Sequence, residues 1–273
     1  MTLLLGPIAL VTCLASGVGI VGLIRRVQAG RPLVQPHPHR PVPWQGPDVV
    51  LLFLLFLCCQ TAVAALIADA ASTAGTDDPA SLGPRLLANA VAMLVFTPLA
   101  GLVLRVRGAT STSLGFRDPR PAEGLKLAVA TWVIIVPPLL AVAAVLDNFV
   151  VSYRHPVIDF LAADRSGNAV VLVLLSAVVA APIAEEFFFR RVLQGWLETR
   201  LGDRAVLVSA VAFGLAHVGH GLGWVPLIGF GLATGYLARQ RGSVLPCIVV
   251  HALFNAVSVG LLLLARPEST ALS

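Results

Sequence analysis

Charge is what this sequence has least of. Only 12% of its 273 residues are charged, 57% are hydrophobic, and the mean hydropathy is +0.88. A soluble domain carries about a quarter charged residues, so too little polar surface is present to cover a globule in water. A water-soluble fold is excluded, and the bilayer is the solvent to reason with. Cysteine is scarce as well: Cys13, Cys58, Cys59 and Cys247 all sit in apolar stretches, none in a CxxC pair. That removes a zinc ribbon or a dithiol redox motif and leaves buried, inert thiols as the expectation. No HExxH, no internal repeat and no hydrophilic stretch long enough for a soluble domain occurs. The N-terminal MTLLLGPIALVTCLASGVGIVGLIRR has no basic n-region, and its apolar run exceeds a signal-peptide core, so a retained first span is expected. The net charge of +5 does not point to nucleic acid, because the arginines fall in short segments between apolar runs.

Those apolar runs are what is there. They lie near 2–24, 49–71, 85–104, 124–146, 168–199, 204–220, 222–238 and 243–265. The pattern predicts an all-α, polytopic integral membrane helical bundle of about eight transmembrane helices. The fifth run is too long for one crossing and contains Pro182, a place to bend. The seventh, with LIGFGLATGYLA, has the glycines for close packing on another helix. Between the first two runs, RRVQAGRPLVQPHPHRPVPWQGPD reads as a flexible, proline-rich basic linker. Trp44, Trp132 and Trp224 fit interfacial anchors.

Orientation follows from the basic residues. Arg25, Arg26, Arg31 and Arg40 follow the first run, and Arg105, Arg107, Arg117, Arg120 and Lys126 follow the third. Arg200 and Arg204 follow the fifth, and Arg239 and Arg241 the seventh, whereas alternate loops carry Asp77, Asp78 and a mixture with Asp147, Asp159 and Asp164. The positive-inside rule then places the basic loops in the cytoplasm and both termini outside.

Against this background the stretch AAPIAEEFFFRRVLQGW stands out. Ionisable groups at membrane depth are costly and are retained for a role. Away from segment ends, the strongly polar residues in the runs are Glu185, Glu186, Arg190, His217, His251 and Asn255, with Asp69 and Gln60 elsewhere. Glu186 and Arg190 are four apart and pair along one helix face, while Glu185 points about 100° away. The same spacing joins Phe213 to His217 and His251 to Asn255. The turn Leu201-Gly202-Asp203 makes the fifth and sixth runs an antiparallel hairpin, with Glu185 17 residues before Gly202 and His217 15 after it. At about 1.5 Å per residue the two share one level.

Two chemistries suit this set. In one, Glu185 and His217 hold and deprotonate a water that attacks a peptide carbonyl, with His251 and Asn255 donating to the oxyanion. In the other, Glu185, His217 and His251 are ligands of Zn²⁺, with an open position for water. The metal-free form is slightly favoured, because no zinc signature is present.

In order, Glu185-Glu186-x-x-x-Arg190, Phe213-x-x-x-His217 and His251-x-x-x-Asn255 resemble the EExxxR, FxxxH and HxxxN motifs of the CAAX protease and bacteriocin-processing (CPBP, or Abi) family. These intramembrane endopeptidases are related to the type II CAAX prenyl protease. LGFR at 114–117 also resembles a segment upstream of the family's core. The resemblance implies a catalytic membrane core over 124–273, its motifs within 168–262, behind N-terminal transmembrane helices and basic loops over 1–123. It implies Glu185 as the base, assisted by His217, with His251 and Asn255 forming the oxyanion hole and Glu186, Arg190 and Phe213 in support. The expected partners are a peptide or membrane-protein substrate and membrane lipid. An Ala-, Val-, Leu- and Arg-rich composition suggests a bacterial plasma membrane as the location. The rival readings are a catalytically silent immunity or binding protein of the same fold, and a proton-relaying transporter.

Overall fold

A computed structural model describes residues 2–31, 41–70, 82–150, 157, 160–161, 164–219 and 221–264. His220, Asp77, Asp78 and residues 32–40 of the linker lie outside them. The helices are α1 (Thr2–Gln28), α2 (Gly46–Ala70), α3 (Leu82–Val106), α4 (Pro121–Phe149), α5 (Gly167–Leu201), α6 (Arg204–Leu215), α7 (Trp224–Arg241) and α8 (Leu245–Leu264). No strand occurs among the described residues. This is the expected outcome in hydrocarbon, where a helix satisfies its own backbone polar groups.

Six of these helices, α1 to α5 and α8, are long and apolar enough to cross a bilayer. The chain is an integral membrane protein. Of the eight runs expected to cross, α6 and α7 do not reach that combination of length and apolarity. α6 has 12 residues and so reaches about 18 Å, against about 30 Å of hydrocarbon. α7 has 18 residues, but its glycines and the basic residues of its last turns keep it below the apolarity of a span. The fifth run meets its expectation of irregularity without a simple bend. α5 is α-helical over Gly167–Val173, Ala181–Glu186 and Gln194–Leu201, and π-helical over Leu174–Ala180 and Phe187–Leu193. Pro182 follows the first π segment closely, as expected where a missing N–H breaks the i→i−4 ladder.

The chain divides into two compact units. The first comprises Met1–Val49, Leu104–Tyr153 and Glu185–Val250. Here α1 lies on α4, with the Ser16 hydroxyl donating to Ile134 O at 2.7 Å. α7 packs on α6, and Gly231 makes the closest approach: a Cβ there would lie 2.9 Å from Ala210 Cα. The expected glycine-mediated packing of the seventh run is thus observed. Trp44 is not an interfacial anchor; it is 1% exposed, and its indole N–H donates to Val192 O at 3.0 Å, with Arg191 stacked over the ring.

The second unit comprises Val50–Val103, Arg154–Ala184 and His251–Ser273. Its core gathers Phe160, Leu161, Ala169, Val173 and Val259. A polar strand of contacts runs beside it: Gln60 Nε2 donates to Asn89 Oδ1 at 2.8 Å, and Asn89 Nδ2 to Ser176 Oγ at 3.5 Å. The cysteines divide, with Cys59 and Cys247 buried and Cys13 and Cys58 exposed on helix faces. For those last two, the expectation of burial is corrected. Exposed Val18, Leu66, Leu102 and Val145 show where lipid takes the place of a core.

Candidate active site

The hairpin of α5 and α6 builds the first part of the site. Gly202, at φ +56°, turns the chain between them, a conformation glycine reaches without steric cost. Glu186 and Arg190 are both fully buried and paired, with Arg190 Nε donating to Glu186 Oε2 at 2.9 Å. Arg190 Nη1 also donates to Ser209 Oγ at 3.3 Å, and the guanidinium lies 4.8 Å from the centroid of Phe213. Ser209 Oγ in turn donates a hydrogen bond to Phe189 O at 2.8 Å. A pair so enclosed cements α5 to α6.

Glu185, next in sequence, faces elsewhere. Its Oε2 is buried, makes no hydrogen bond and stands 3.7 Å from His217 Nε2. The depth match read from residue counts about Gly202 is therefore met. The helix expected beneath His217 is not: α6 ends at Leu215, and His217 occupies the turn that follows. Its backbone N–H bonds Gly214 O at 2.9 Å, the tightening typical of a helix end. The Phe213 carbonyl, released by that tightening, is met by His217 Nδ1 at 2.8 Å. A carbonyl only accepts, so Nδ1 is the donor in this contact. Phe213 also packs on the imidazole, with centroids 4.9 Å apart.

The connection between α3 and α4 braces this arrangement. Phe116 stacks on Phe187 at 5.1 Å, Arg191 bonds Ser113 O, and Gly115 O accepts from Val244 N and Ser243 Oγ, each at 3.0 Å. Arg241 holds Asp118 through Nη2 at 2.5 Å and Glu123 through Nη1 at 2.9 Å. Burial alone would raise the Asp118 pKa. Hydrogen bonds from Arg241 and the Arg120 N–H, with the charges of both arginines, outweigh it and hold the carboxyl below its ordinary value.

His251 and Asn255 lie on α8 in the second unit. His251 is 5% exposed, and Asn255 Nδ2 donates to Ala177 O at 2.6 Å. Among the described residues, no three His, Cys, Asp or Glu side chains are grouped to hold a metal ion.

Residues 167–257 match the family model described as type II CAAX prenyl endopeptidase Rce1-like. This segment is similar to that family. No curated protein and no solved structure matches the chain. The Rce1-like segment contains Glu185, Glu186, Arg190, Phe213, His217, His251 and Asn255, and the matched family is one of proteases. Sequence reasoning passed over Ser209 and Asn89 within and beside it. Ser209 was legible, four residues before Phe213 and eight before His217 on one helical face; Asn89 was legible as an amide in an apolar run.

Proposed function

We propose that the chain is an intramembrane endopeptidase that hydrolyses a peptide bond of a membrane-associated peptide or protein. One observation carries the reading: a buried Glu185 carboxylate oxygen without a hydrogen-bond partner stands 3.7 Å from His217 Nε2. With a neutral His217 ring Nε2 is an acceptor, and two acceptors at that separation suit a single water donating one hydrogen to each. Its oxygen lone pairs then face away from both groups, toward a carbonyl carbon. As water attacks, Glu185 takes its proton, and the C=O electrons move onto oxygen. On collapse the C–N bond breaks, and the same proton passes to the departing amine. By their motif, His251 and Asn255 are the donors for the oxyanion. Glu186, Arg190 and Ser209 fix the α5–α6 hairpin so that Glu185 and His217 keep their spacing.

Were zinc bound, Glu185 and His217 would need His251 as a third ligand. The membrane-protein substrate, the cytoplasmic side for the basic loops and a bacterial plasma membrane complete the proposal.

The test is hydrolysis of a quenched fluorescent peptide library by purified protein in detergent, with and without a zinc chelator. Glu185→Gln is expected to lower kcat by about 10²-fold or more with unchanged thermal stability, since a positioned base contributes on that order. Chelator resistance supports the glutamate mechanism, and chelator inactivation replaces it with zinc. Equal cleavage by wild type and Glu185→Gln refutes the assignment of the base. Absence of cleavage in both favours the silent binding protein.

A further inference from the structure

The helix α4 carries two consecutive prolines, Pro137 and Pro138, in its interior. In an α-helix each carbonyl accepts from the N–H four residues on. Val133 O and Ile134 O are therefore the carbonyls whose donors the prolines withhold. Two adjacent rungs of the ladder are absent from a helix long and apolar enough to cross a bilayer. In hydrocarbon no water replaces such a donor, and an orphaned carbonyl is costly. A helix without neighbouring rungs also bends there more readily than elsewhere.

α1 meets α4 at this point. Ser16 is 3% exposed, and its Oγ donates to Ile134 O at 2.7 Å. A hydroxyl has one hydrogen to give. Ser16 gives it across the interface instead of to the carbonyl four residues back on its own helix. One turn further along α1, Gly19 lets the helices come this close: a Cβ there would lie 2.5 Å from Ile134 Cγ1. Just beyond the first proline pair position, Leu139 rests on α7, where a Cβ at Gly229 would lie 2.9 Å from its Cδ2. All of these residues belong to the first unit.

We infer that Ser16 is a latch on a hinge in α4: its hydroxyl supplies the donor that Pro138 withholds from Ile134 O. The latch holds the two halves of α4 in one direction, with Leu139 against α7.

The test needs no activity assay. Melting temperatures are measured in micelles for wild type, Ser16→Ala, Pro138→Ala and the double variant. Alanine at 138 returns a backbone N–H to Ile134 O. Ser16→Ala is expected to lower the melting temperature by about 2–4 °C, the scale of one interhelical hydrogen bond in a chain of this size. In the Pro138→Ala background the same substitution should change it by less than about 1 °C, because the two sites are coupled. The hinge is read by spin labels at Val129 and Val145, both exposed on α4 and on either side of the prolines. Carried on noncanonical amino acids, the labels leave the four cysteines in place. A straight helix sets the two positions about 24 Å apart. Ser16→Ala should broaden the distance distribution toward shorter values, and the double variant should return it to the wild-type width.

An equal loss of melting temperature in both backgrounds makes Ser16 a packing residue and overturns the replacement of the donor. No loss in either overturns the latch altogether. Coupled melting temperatures with an unchanged distance distribution in Ser16→Ala uphold the bond and refute the hinge. Should Ser16→Ala fail to accumulate, recovery of folded protein in the double variant is the same readout. Should Pro138→Ala fail, the distances in Ser16→Ala alone still decide the hinge.

Discussion

Arg190→Met is the substitution that should cost this protein most. Both members of the Glu186–Arg190 pair are fully buried, and the arginine serves three contacts from one position: Glu186 at 2.9 Å, Ser209 at 3.3 Å and the Phe213 ring at 4.8 Å. Methionine fills much of the same volume but leaves the Glu186 carboxylate enclosed without its guanidinium. Losing one partner of a buried pair costs about 3–5 kcal/mol. The cation–π contact adds roughly 1 kcal/mol or more in a desolvated setting. Arg190→Lys keeps the charge and loses the fork that reaches Ser209, so it should fall between wild type and Arg190→Met. The double variant Glu186→Gln/Arg190→Met removes both charges and should regain most of the loss. Denaturant unfolding in micelles, followed by tryptophan fluorescence, measures all four proteins. A loss below about 1 kcal/mol for Arg190→Met, or a double variant no more stable than the single, refutes the buried-pair reasoning.

Two further outcomes follow from other parts of the fold. Gly231→Leu drives a side chain into Ala210 on α6, where a Cβ already meets Cα at 2.9 Å; a destabilisation of about 1–3 kcal/mol in the same unfolding assay is expected, as for other overpacked contacts. Asp118, with its pKa held below the ordinary value, contributes stability that is full above the unfolded aspartate value of about 3.9. That stability is lost as pH falls through the lower folded value. Melting temperature should thus be level in this contribution from pH 7 to about 5 and decline below about 4. Asp118→Asn should abolish that part of the decline.

Much of the site was legible because its signals are spacings. Glu186 and Arg190 four apart, and Glu185 and His217 nearly equidistant from Gly202, place their groups together in any straight hairpin. The bounds of α2, α3, α5 and α8 follow from apolar length alone. The winding of α5 was not legible: a π turn leaves no hydrophobic period of its own in a helix apolar on most sides, and Pro182 marks only that something must give. The end of α6 was hidden for a related reason. Ala216 and Val218 continue the apolar run, and the stop depends on His217 folding back onto the Phe213 carbonyl, a contact between neighbours in the chain. Trp44 was misread because interfacial preference is a statistical tendency, whereas its N–H found Val192 O, a tertiary partner.

The early end of α6 has a consequence for supply. Hydrolysis in a bilayer needs water as a reactant, delivered to a place lipid keeps dry. A 12-residue helix covers little more than half of the hydrocarbon thickness, and beyond it the chain continues in tight turns. Non-helical backbone within a bilayer persists only against protein or water. His217 sits in the first of these turns, with its side chain 26% exposed. In the proposed reaction, the short helix leaves the exposed side of His217 as the place from which water would reach Glu185.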